Sequence, residues 1–344
     1  MCDVKSHVSL RSKMKINNFI YELPEELIAQ KPADKRDESR LMIVKDSLKH
    51  KKFSDIIDYL EKDDVLVINE TKVIEAKLIG KKLSGAYAEI ILTKRINNKR
   101  FVCRIKSRNP IVGSEFVFNK YKCKVIAKDF DIFIVEFDKE LSKEKLKEIA
   151  VLPAPPYIKE EIDYDRYQTV YAEKEGSVAA PTAGLHFTDE LINKIKEKGV
   201  KIAKLTLHVG FGTFIPVRTE NIEEHQMEEE YFEIDKENAY LINECSGKLV
   251  CVGTTSMRAL ESMSKKGKIV KYSGISDLFI YPGYKFQSNV SMLITNFHLP
   301  KSTLLLLVSA FAGTDLIKKA YEEGIKERYR FYSFGDAMLL WKNI

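Results

Sequence analysis

The hydrophobic pattern of this 344-residue chain changes its period near residue 150, and that change restricts the folds open to it. Between Val65 and Phe137 the apolar residues fall into short runs rich in β-branched and aromatic side chains, which predict β-strands. Turn residues such as Ser84-Gly85 and Asn109-Pro110 separate these runs. The runs are VLVIN, AEIILT, FVCRI, EFVFN, YKCKVIA and IFIVEF. Strands at this spacing, with little helical pattern between them, predict a small antiparallel barrel or sandwich.

A different pattern follows the connector 152–158, which holds three prolines in seven residues and is predicted to be extended. The segments KIAKLTLHV and KLVCVG have the composition of strands, and helix-like stretches flank them. The predicted helices cover residues 189–198, residues 235–246, a segment starting at Thr254 or Thr255, and residues 302–313. Residues 19–60 also carry helical signals. Alternation of strands and helices predicts a sheet with helices on its faces.

The predicted fold class is therefore α/β, with a large α/β sheet domain built from both chain ends and an inserted small β-barrel domain. We predict that residues 14–61 and 156–344 form a discontinuous α/β catalytic domain. Residues 62–155 are predicted to be the inserted β-barrel-like basic domain, and residues 1–13 a disordered leader. A chain of this length is long enough for two domains.

Charge is distributed unevenly along the chain. The net charge is 56 − 50 = +6, yet residues 77–128 hold 14 Lys or Arg against two acids, which gives +12 and leaves −6 for the remainder. Charge segregated in this way predicts a nucleic-acid partner, and we chose Lys81, Lys82, Arg104 and Lys106 as candidate RNA-binding residues. The alternative is a solvated lysine-rich surface without a partner.

The sequence predicts a cytoplasmic protein with no membrane segment. The longest apolar stretch, residues 304–312, is too short to span a bilayer, and the polar, basic residues at the start lack the apolar segment of a signal peptide. The five cysteines are scattered and form no CxxC pair, which argues against a disulfide framework and a thiolate zinc site. We also expect a monomer.

Seven stretches spread over almost the full length point to one enzyme family. They are LPEELIAQKPADKRDESRLMIV, VINETKVIEAKL, GSVAAPTAGLHFT, LHVGFGTFIPVR, VGTTSMRALES, LITNFHLPKSTLLLLVSAFAG and YSFGDAML. Together they resemble the S-adenosylmethionine:tRNA ribosyltransferase-isomerase family of queuosine biosynthesis. The departures are mild: the second stretch more commonly reads NDTRVIPARL, so that only Glu75 changes the charge pattern, and Phe334 stands where tyrosine is usual.

The resemblance implies a particular reaction. S-adenosylmethionine, as co-substrate, supplies a ribosyl unit to 7-aminomethyl-7-deazaguanine at the wobble position of tRNA. Adenine and methionine leave, and the product is epoxyqueuosine-tRNA. Such chemistry needs a base near the C5′ carbon beside the sulfonium and a proton donor for the departing adenine.

Histidine titrates in the range that these proton transfers require. His186, His208 and His298 all lie inside family-like stretches, and we predict them as catalytic acid/base groups, although such histidines are often purely structural. Glu230, in an acidic segment that is otherwise expected to be solvated surface, is the predicted reserve base. Since no HExxH or HxH spacing is present, we predict no metal.

The predicted cofactor-binding residues are two glycines and three residues at the start of one helix. Gly210 and Gly212 follow a predicted strand and could let the backbone approach S-adenosylmethionine, although a tight turn is the commoner role of such glycines. Thr254 and Thr255 begin a helix whose N-terminus suits an anion; simple N-capping is an equally weighted alternative. Arg258 in the first turn is easier to explain if it holds an anion.

Two other classes of protein stay open at this point. An RNA methyltransferase would produce S-adenosylhomocysteine, but the sequence lacks the glycine-rich loop expected early in its α/β domain. A non-catalytic RNA-binding protein built on a basic barrel would leave the histidine-bearing stretches unexplained.

Overall fold

The computed structural model describes residues 13–160 and 162–343. Of the predicted leader, residues 1–12 lie outside the described residues. The strands are β1 (Arg40–Val44), β2 (Leu48–Lys52), β3 (Val65–Asn69), β4 (Thr71–Val73), β5 (Lys77–Lys82), β6 (Tyr87–Arg95), β7 (Arg100–Ser107), β8 (Glu115–Phe118), β9 (Tyr121–Asp129), β10 (Ile132–Phe137), β11 (Ala150–Val151), β12 (Lys174–Ser177), β13 (Lys201–Leu207), β14 (Glu230–Glu233), β15 (Leu249–Val252), β16 (Ser264–Lys265), β17 (Lys268–Ile269), β18 (Ser273–Ser276), β19 (Val290–Asn296) and β20 (Ala337–Trp341). The α-helices are α1 (Lys143–Ile149), α2 (Asp189–Glu197), α3 (Lys236–Asn243), α4 (Thr254–Met263), α5 (Thr303–Ala312) and α6 (Thr314–Lys326). Short 3₁₀ helices occupy Ile16–Phe19, Glu25–Leu27, Arg36–Glu38, Phe53–Tyr59, Thr182–His186, Phe211–Phe214 and Ile222–Glu224.

A nine-stranded mixed sheet forms the larger part of the molecule. Its strand order in the described chain is β18-β14-β13-β3-β15-β19-β20-β1-β2. The central strands β13, β3, β15 and β19 run parallel to one another, whereas β20 is antiparallel to β19. Because the first strands and the last strand share this sheet, the predicted α/β domain built from both chain ends is confirmed.

Apolar side chains cover both faces of this sheet. In β3, Val65 and Val67 pack into the core on one face with α4 and α5, while Leu66 and Ile68 pack on the other face with α2. A strand buried on both faces must be apolar at every position, as VLVI is. Helix α5 is buried nearly all round, which explains its continuous apolar sequence.

The basic region forms a closed barrel. Within the described residues, β5, β6, β7, β10, β9 and β8 pair in that order, and β5–β8 pairing closes the ring. Strand β9 alternates buried and exposed residues along most of its length, as expected when one face lines a core and the other meets water. The predicted barrel is therefore confirmed, and α1 covers it with Leu146.

One part of the predicted organisation is wrong. The run VLVIN, which we grouped with the barrel strands, is β3 at the centre of the large sheet. Its continuous apolar pattern, unlike the alternating pattern of β9, is the physical reason. The helical signals within residues 19–60 correspond to the 3₁₀ helices Glu25–Leu27 and Phe53–Tyr59, and the same stretch also contains β1 and β2, because the apolar run LMIV pairs in parallel with β20. Since β3 belongs to the large sheet, the predicted start of the inserted domain at residue 62 lies too early, and its end at 155 remains a prediction.

The helix ends follow ordinary capping chemistry. Thr188 Oγ1 accepts a hydrogen bond from the backbone N–H of Leu191 at the start of α2, and Gly199 follows its end with φ of 90°. Asp235 and Ser302 cap α3 and α5 in the same way as Thr188 caps α2. These helices start where the sequence predicted them.

Candidate active site

The carboxyl ends of the four parallel strands meet at one edge of the large sheet. Asn69 ends β3, His208 follows β13, Gly253 follows β15 and Asn296 ends β19. In open α/β sheets ligands bind outside this edge, because loops and helix N-termini converge there. Since β20 and β1 run in the opposite direction to β19, their amino ends reach the same edge.

A depression opens to solvent at this edge, and we call it the central cleft. Its walls are the loop 180–183, residues 253–255 at the start of α4, residues 295–299 after β19, and the side chains of Thr213, Tyr157, Tyr332 and Ser333. A second, narrow depression, the arginine pocket, lies next to it and is lined by Arg258, Thr303 and Met227. Both cavities share Thr213, Thr254 and Thr255, so they form two parts of one depression.

Helix α4 presents its N-terminus to this depression. Its N-cap is Gly253, with φ of 88° and no side-chain capping bond, so the predicted capping by Thr254 or Thr255 is wrong. The physical reason is that Gly253 adopts a backbone conformation closed to most L-residues, so the threonines fall inside the helix. Their side chains are thereby placed at the cleft wall rather than on the helix end.

Four buried polar atoms here have no hydrogen-bond partner within the described part of the chain. They are Asn296 Oδ1, Thr255 Oγ1, Thr303 Oγ1 and Arg258 Nε. Asn296 and Thr255 line the central cleft, and Thr255, Thr303 and Arg258 line the arginine pocket. Buried polar atoms are nearly always hydrogen-bonded, so their concentration in one depression indicates a ligand that supplies the partners.

His186 is held by a chain of hydrogen bonds that determines its tautomer. Asn296 Nδ2 donates to Tyr332 O at 3.0 Å and to His186 Nε2 at 3.2 Å, so Nε2 is an acceptor. His186 Nδ1 then carries the proton and donates to Ser39 Oγ at 2.7 Å, and Ser39 Oγ donates to Arg36 O at 3.2 Å. Burial, with smaller contributions from Arg330 and Arg36, lowers the pKa of His186 to about 3. The histidine is therefore neutral, and it orients the amide of Asn296.

The other two predicted histidines differ in position. His298 lines the central cleft, with Nε2 2.8 Å from Thr295 Oγ1, and burial lowers its pKa to about 3. His208 lies at the junction with β4, where Nδ1 is 2.9 Å from Thr71 Oγ1 and the ring stacks on Tyr231. Burial also lowers the pKa of His208. The structure thus places His298 in the wall of the central cleft and His186 behind Asn296, and it leaves His208 outside the cleft.

The backbone N–H groups of the two predicted glycines donate hydrogen bonds to carboxylates. Gly210 N donates to Glu230 Oε1 at 2.7 Å, and Gly212 N donates to Glu228 Oε2 at 3.1 Å. A Cβ on Gly212 would come within 2.6 Å of Glu228 Cδ, so the glycine makes room for this side chain. The predicted close approach is therefore to acidic residues of the protein rather than directly to a ligand.

Glu230 and Arg258 form a buried ion pair between β14 and α4. The second oxygen of Glu230 accepts from Gly210, so the carboxylate connects the β13 loop to the helix. Burial lowers the pKa of Arg258 to about 10, which Glu228 partly opposes, and the guanidinium stays charged at neutral pH. Two residues that were predicted for different roles are therefore direct partners.

The four predicted RNA-binding residues do not share one environment. Lys81 and Lys106 lie on the outer surface of the barrel, Lys106 being 79% exposed at its side chain. Lys82 Nζ donates to Asn109 O at 3.3 Å at the same barrel end. Arg104 is only 12% exposed and is paired with Asp131 at 2.5 Å and with Glu228. Asp131 lies in the barrel and Glu228 lies beside β14 of the large sheet, so Arg104 joins the two parts. Because both partners are carboxylates, the charge of Arg104 is already compensated and does not fit the predicted phosphate contact.

Comparisons with known proteins cover almost the whole chain. The profile of the family described as queuosine biosynthesis protein matches residues 16–340. A relative from Carboxydothermus hydrogenoformans, named S-adenosylmethionine:tRNA ribosyltransferase-isomerase, is 48% identical over 338 residues, which are 95% of this chain and 100% of the relative. The crystal structure of the S-adenosylmethionine tRNA ribosyltransferase from Thermotoga maritima matches with a TM-score of 0.54 and 36% identity, over 94% of this chain and 99% of that one.

This chain belongs to the queuosine biosynthesis protein family. The predicted resemblance is confirmed. In this member of the family no group of three or more His, Cys, Asp or Glu among the described residues could hold a metal ion. None of its described helices combines the length and the apolar character needed to cross a membrane.

Sequence reasoning missed several residues of the cleft in this family member. Asn296, Ser39 and Tyr332 form the hydrogen-bonded set around His186, yet none was predicted as a site residue. For Asn296 a signal was present: it is a polar amide that ends the buried strand β19, at the edge where ligands bind. Ser39 and Tyr332 come from distant segments, and only the folded sheet brings them together.

Proposed function

We propose that this chain transfers and isomerises the ribosyl moiety of S-adenosylmethionine onto 7-aminomethyl-7-deazaguanine at the wobble position of tRNA. The product is epoxyqueuosine-tRNA, and adenine and methionine are released. The observation that carries the proposal is the 48% identity to a relative of that name whose entire length the chain covers. The fold and the polar, partly unsatisfied cleft are consistent with it.

The depression suits a substrate with a carboxylate at one end and N–H donors at the other. At the arginine pocket, Arg258 Nε and the N-terminus of α4 can hold the carboxylate of S-adenosylmethionine, and Thr255 Oγ1 offers a further hydrogen bond. In the central cleft, Asn296 Oδ1 can accept from an N–H group, such as the exocyclic amine of adenine. Gly210 and Gly212 support this site through Glu230 and Glu228.

Proton transfer falls to the groups that reach the cleft. We propose His298 as the residue that takes a proton from the substrate, because it is the one predicted histidine whose side chain lines the cleft. Burial lowers its pKa in the cleft, so the role requires that the bound substrate, with its positive charges and hydrogen bonds, changes this environment. Glu230 is the reserve base, although its pairing with Arg258 favours a positioning role. Both ring nitrogens of His186 already make hydrogen bonds, which favours a positioning role for this residue as well. A catalytic role for His208 stays a prediction.

The decisive experiment is mass spectrometry of the products formed from the protein, S-adenosylmethionine and tRNA carrying the deazaguanine precursor. We expect free adenine, free methionine and an epoxide-bearing nucleoside. S-adenosylhomocysteine with a methylated base would show a methyltransferase, and the absence of any product would favour the RNA-binding protein. His298→Gln is expected to slow product formation at saturating substrates while leaving the fold intact.

The partner is tRNA, and we propose that the barrel surface around Lys81, Lys82 and Lys106 contributes to holding it. We further propose that the protein acts as a cytoplasmic monomer without a bound metal. Light scattering of the purified protein tests the monomer, and activity in the presence of a chelator tests the independence from metal.

A further inference from the structure

The hairpin between β9 and β10 carries an aromatic residue at its tip. Phe130 and Asp131 form the whole turn, since β9 ends at Asp129 and β10 begins at Ile132. The Phe130 side chain is 90% exposed, and its backbone adopts φ of 48°. Bulky residues seldom adopt this left-handed conformation, and glycine or asparagine is preferred in such turns. The local fold thus gives no reason for a phenylalanine here.

The position of Phe130 in the molecule offers a reason. With Asp131 and Ile132 it lines an open groove between the barrel and the sheet domain, whose lining also includes Arg258. Thr213 lines this groove and also the central cleft, so the groove leads to the proposed reaction site. Phe130 therefore stands where the nucleotides on either side of a bound target base would pass.

The tip of the hairpin carries two aspartates in its sequence, but the charges around it favour a polyanion. Asp131 is paired with Arg104 at 2.5 Å and faces Arg218 at 3.8 Å, so its charge is compensated. Glu228 and Glu230 also line the groove, but they are paired with Arg104 and Arg258. Arg218 is 76% exposed and lines the same groove, and Lys128 on β9 is exposed as well, next to the exposed Asp129. An exposed aromatic ring beside exposed cations is the arrangement that proteins use to bind single-stranded nucleic acids.

We propose that Phe130 is a stacking platform for an unpaired nucleobase of the tRNA anticodon loop adjacent to the target nucleotide. The inference rests on the proposed function, because that function brings the loop to the cleft. Proteins that recognise RNA loops commonly stack splayed bases on aromatic side chains, and the strain at a functional site is tolerated for such a contact. Base stacking thereby explains why a phenylalanine occupies a strained, solvated turn.

The test measures binding of an anticodon stem-loop RNA that carries 2-aminopurine beside the target position. Phe130→Ala should raise the Kd by between about 5-fold and 150-fold, the range expected for loss of one stacked base, and should abolish the fluorescence change of the 2-aminopurine on binding. Phe130→Trp should keep the wild-type Kd and the fluorescence change, whereas Phe130→Leu should bind as weakly as Phe130→Ala and show no fluorescence change. Tyr240→Ala is the matched control, because Tyr240 is an aromatic residue on α3 that is 67% exposed; it should bind as the wild type does.

Phe130→Asn separates stacking from folding. Asparagine adopts positive φ more readily, so this variant should melt at the wild-type temperature or above it while binding RNA as weakly as the alanine variant. An unchanged Kd for Phe130→Ala, full recovery by leucine, or a change of oligomeric state would overturn the proposal, the last because it indicates a contact between copies. Failure of the proposed function is distinguishable: wild-type protein would then release no adenine, whatever the Kd values.

Discussion

At the scale of single residues, the cleft depends on polar atoms of fixed orientation more than on titrating groups. Histidines attract attention in a sequence because of their residue type, but a sequence does not show which ring nitrogen is already occupied. His186 illustrates this limit: both of its ring nitrogens make hydrogen bonds, and it is Asn296 that lines the cleft with an unpartnered Oδ1. The sequence analysis selected only the histidine of the segment TNFHLP, although Asn296 of the same segment also lines the cleft.

Replacement of Asn296 should weaken binding of S-adenosylmethionine. Its Oδ1 is buried without a partner, and a ligand N–H that pairs with it gains a hydrogen bond in a dry site. We expect Asn296→Ala to raise the KM for S-adenosylmethionine by about tenfold, since roughly 1.4 kcal/mol corresponds to a factor of ten. Ser39→Ala, which removes only the far end of the chain of hydrogen bonds, is the control and should have a smaller effect. Equal KM values for wild type and Asn296→Ala would contradict this assignment.

The two buried histidines should also make stability fall in acid. The pKa values of His186 and His298 are lowered to about 3 in the fold, from 6.5 in the unfolded chain. Between pH 6.5 and 3 the unfolded chain therefore binds more protons, and the free energy of unfolding decreases as pH falls through this window. Each histidine contributes roughly 1.4 kcal/mol per pH unit. The double variant His186→Gln/His298→Gln, compared with wild type by urea unfolding at pH 4 to 7, should show a shallower slope; identical slopes would refute the prediction.

At the scale of elements, the sequence predicted the strand-glycine-helix unit of β15 and α4, because periodicity and glycine are local signals. It did not predict the N-cap correctly, since the choice between Gly253 and the threonines depends on one backbone angle. Nor could it reveal that Glu230 on β14 and Arg258 on α4 are partners, because nothing local relates residues of two elements that meet only in the tertiary fold.

This pair predicts a difference between single and double variants. Arg258→Met leaves the buried Glu230 carboxylate without its cation, which should destabilise the fold by about 3–5 kcal/mol. Adding Glu230→Gln removes the uncompensated charge, so the double variant should recover most of the stability. Activity should not recover, because Arg258 is proposed to hold the substrate carboxylate. Unfolding curves and product formation test the two statements separately, and a double variant with wild-type activity would eliminate Arg258 from the site.

At the scale of the whole molecule, composition and hydrophobic period were sufficient to predict an α/β sheet domain and a basic barrel. The wrong assignment of β3 to the barrel shows the limit of these signals, because short apolar runs look similar in a barrel and at the centre of a parallel sheet. The charge count of residues 77–128 likewise predicted a basic surface. It could not distinguish lysines that face water from Arg104, which is neutralised by Asp131 and Glu228 between the domains.

This distinction predicts two responses to salt. Each cation that contacts a phosphate of single-stranded RNA contributes roughly 0.7 to the slope of log Kd against log salt concentration. The triple variant Lys81→Gln/Lys82→Gln/Lys106→Gln should therefore lower that slope by up to about 2. Arg104→Gln should leave the slope unchanged, because Arg104 is already engaged by carboxylates, and should instead raise the KM for both substrates by loosening the barrel from Glu228 and Gly212. If Arg104→Gln lowered the slope and the triple variant did not, the RNA phosphates would be held by Arg104, and the outer barrel face would be only a solvated lysine-rich surface.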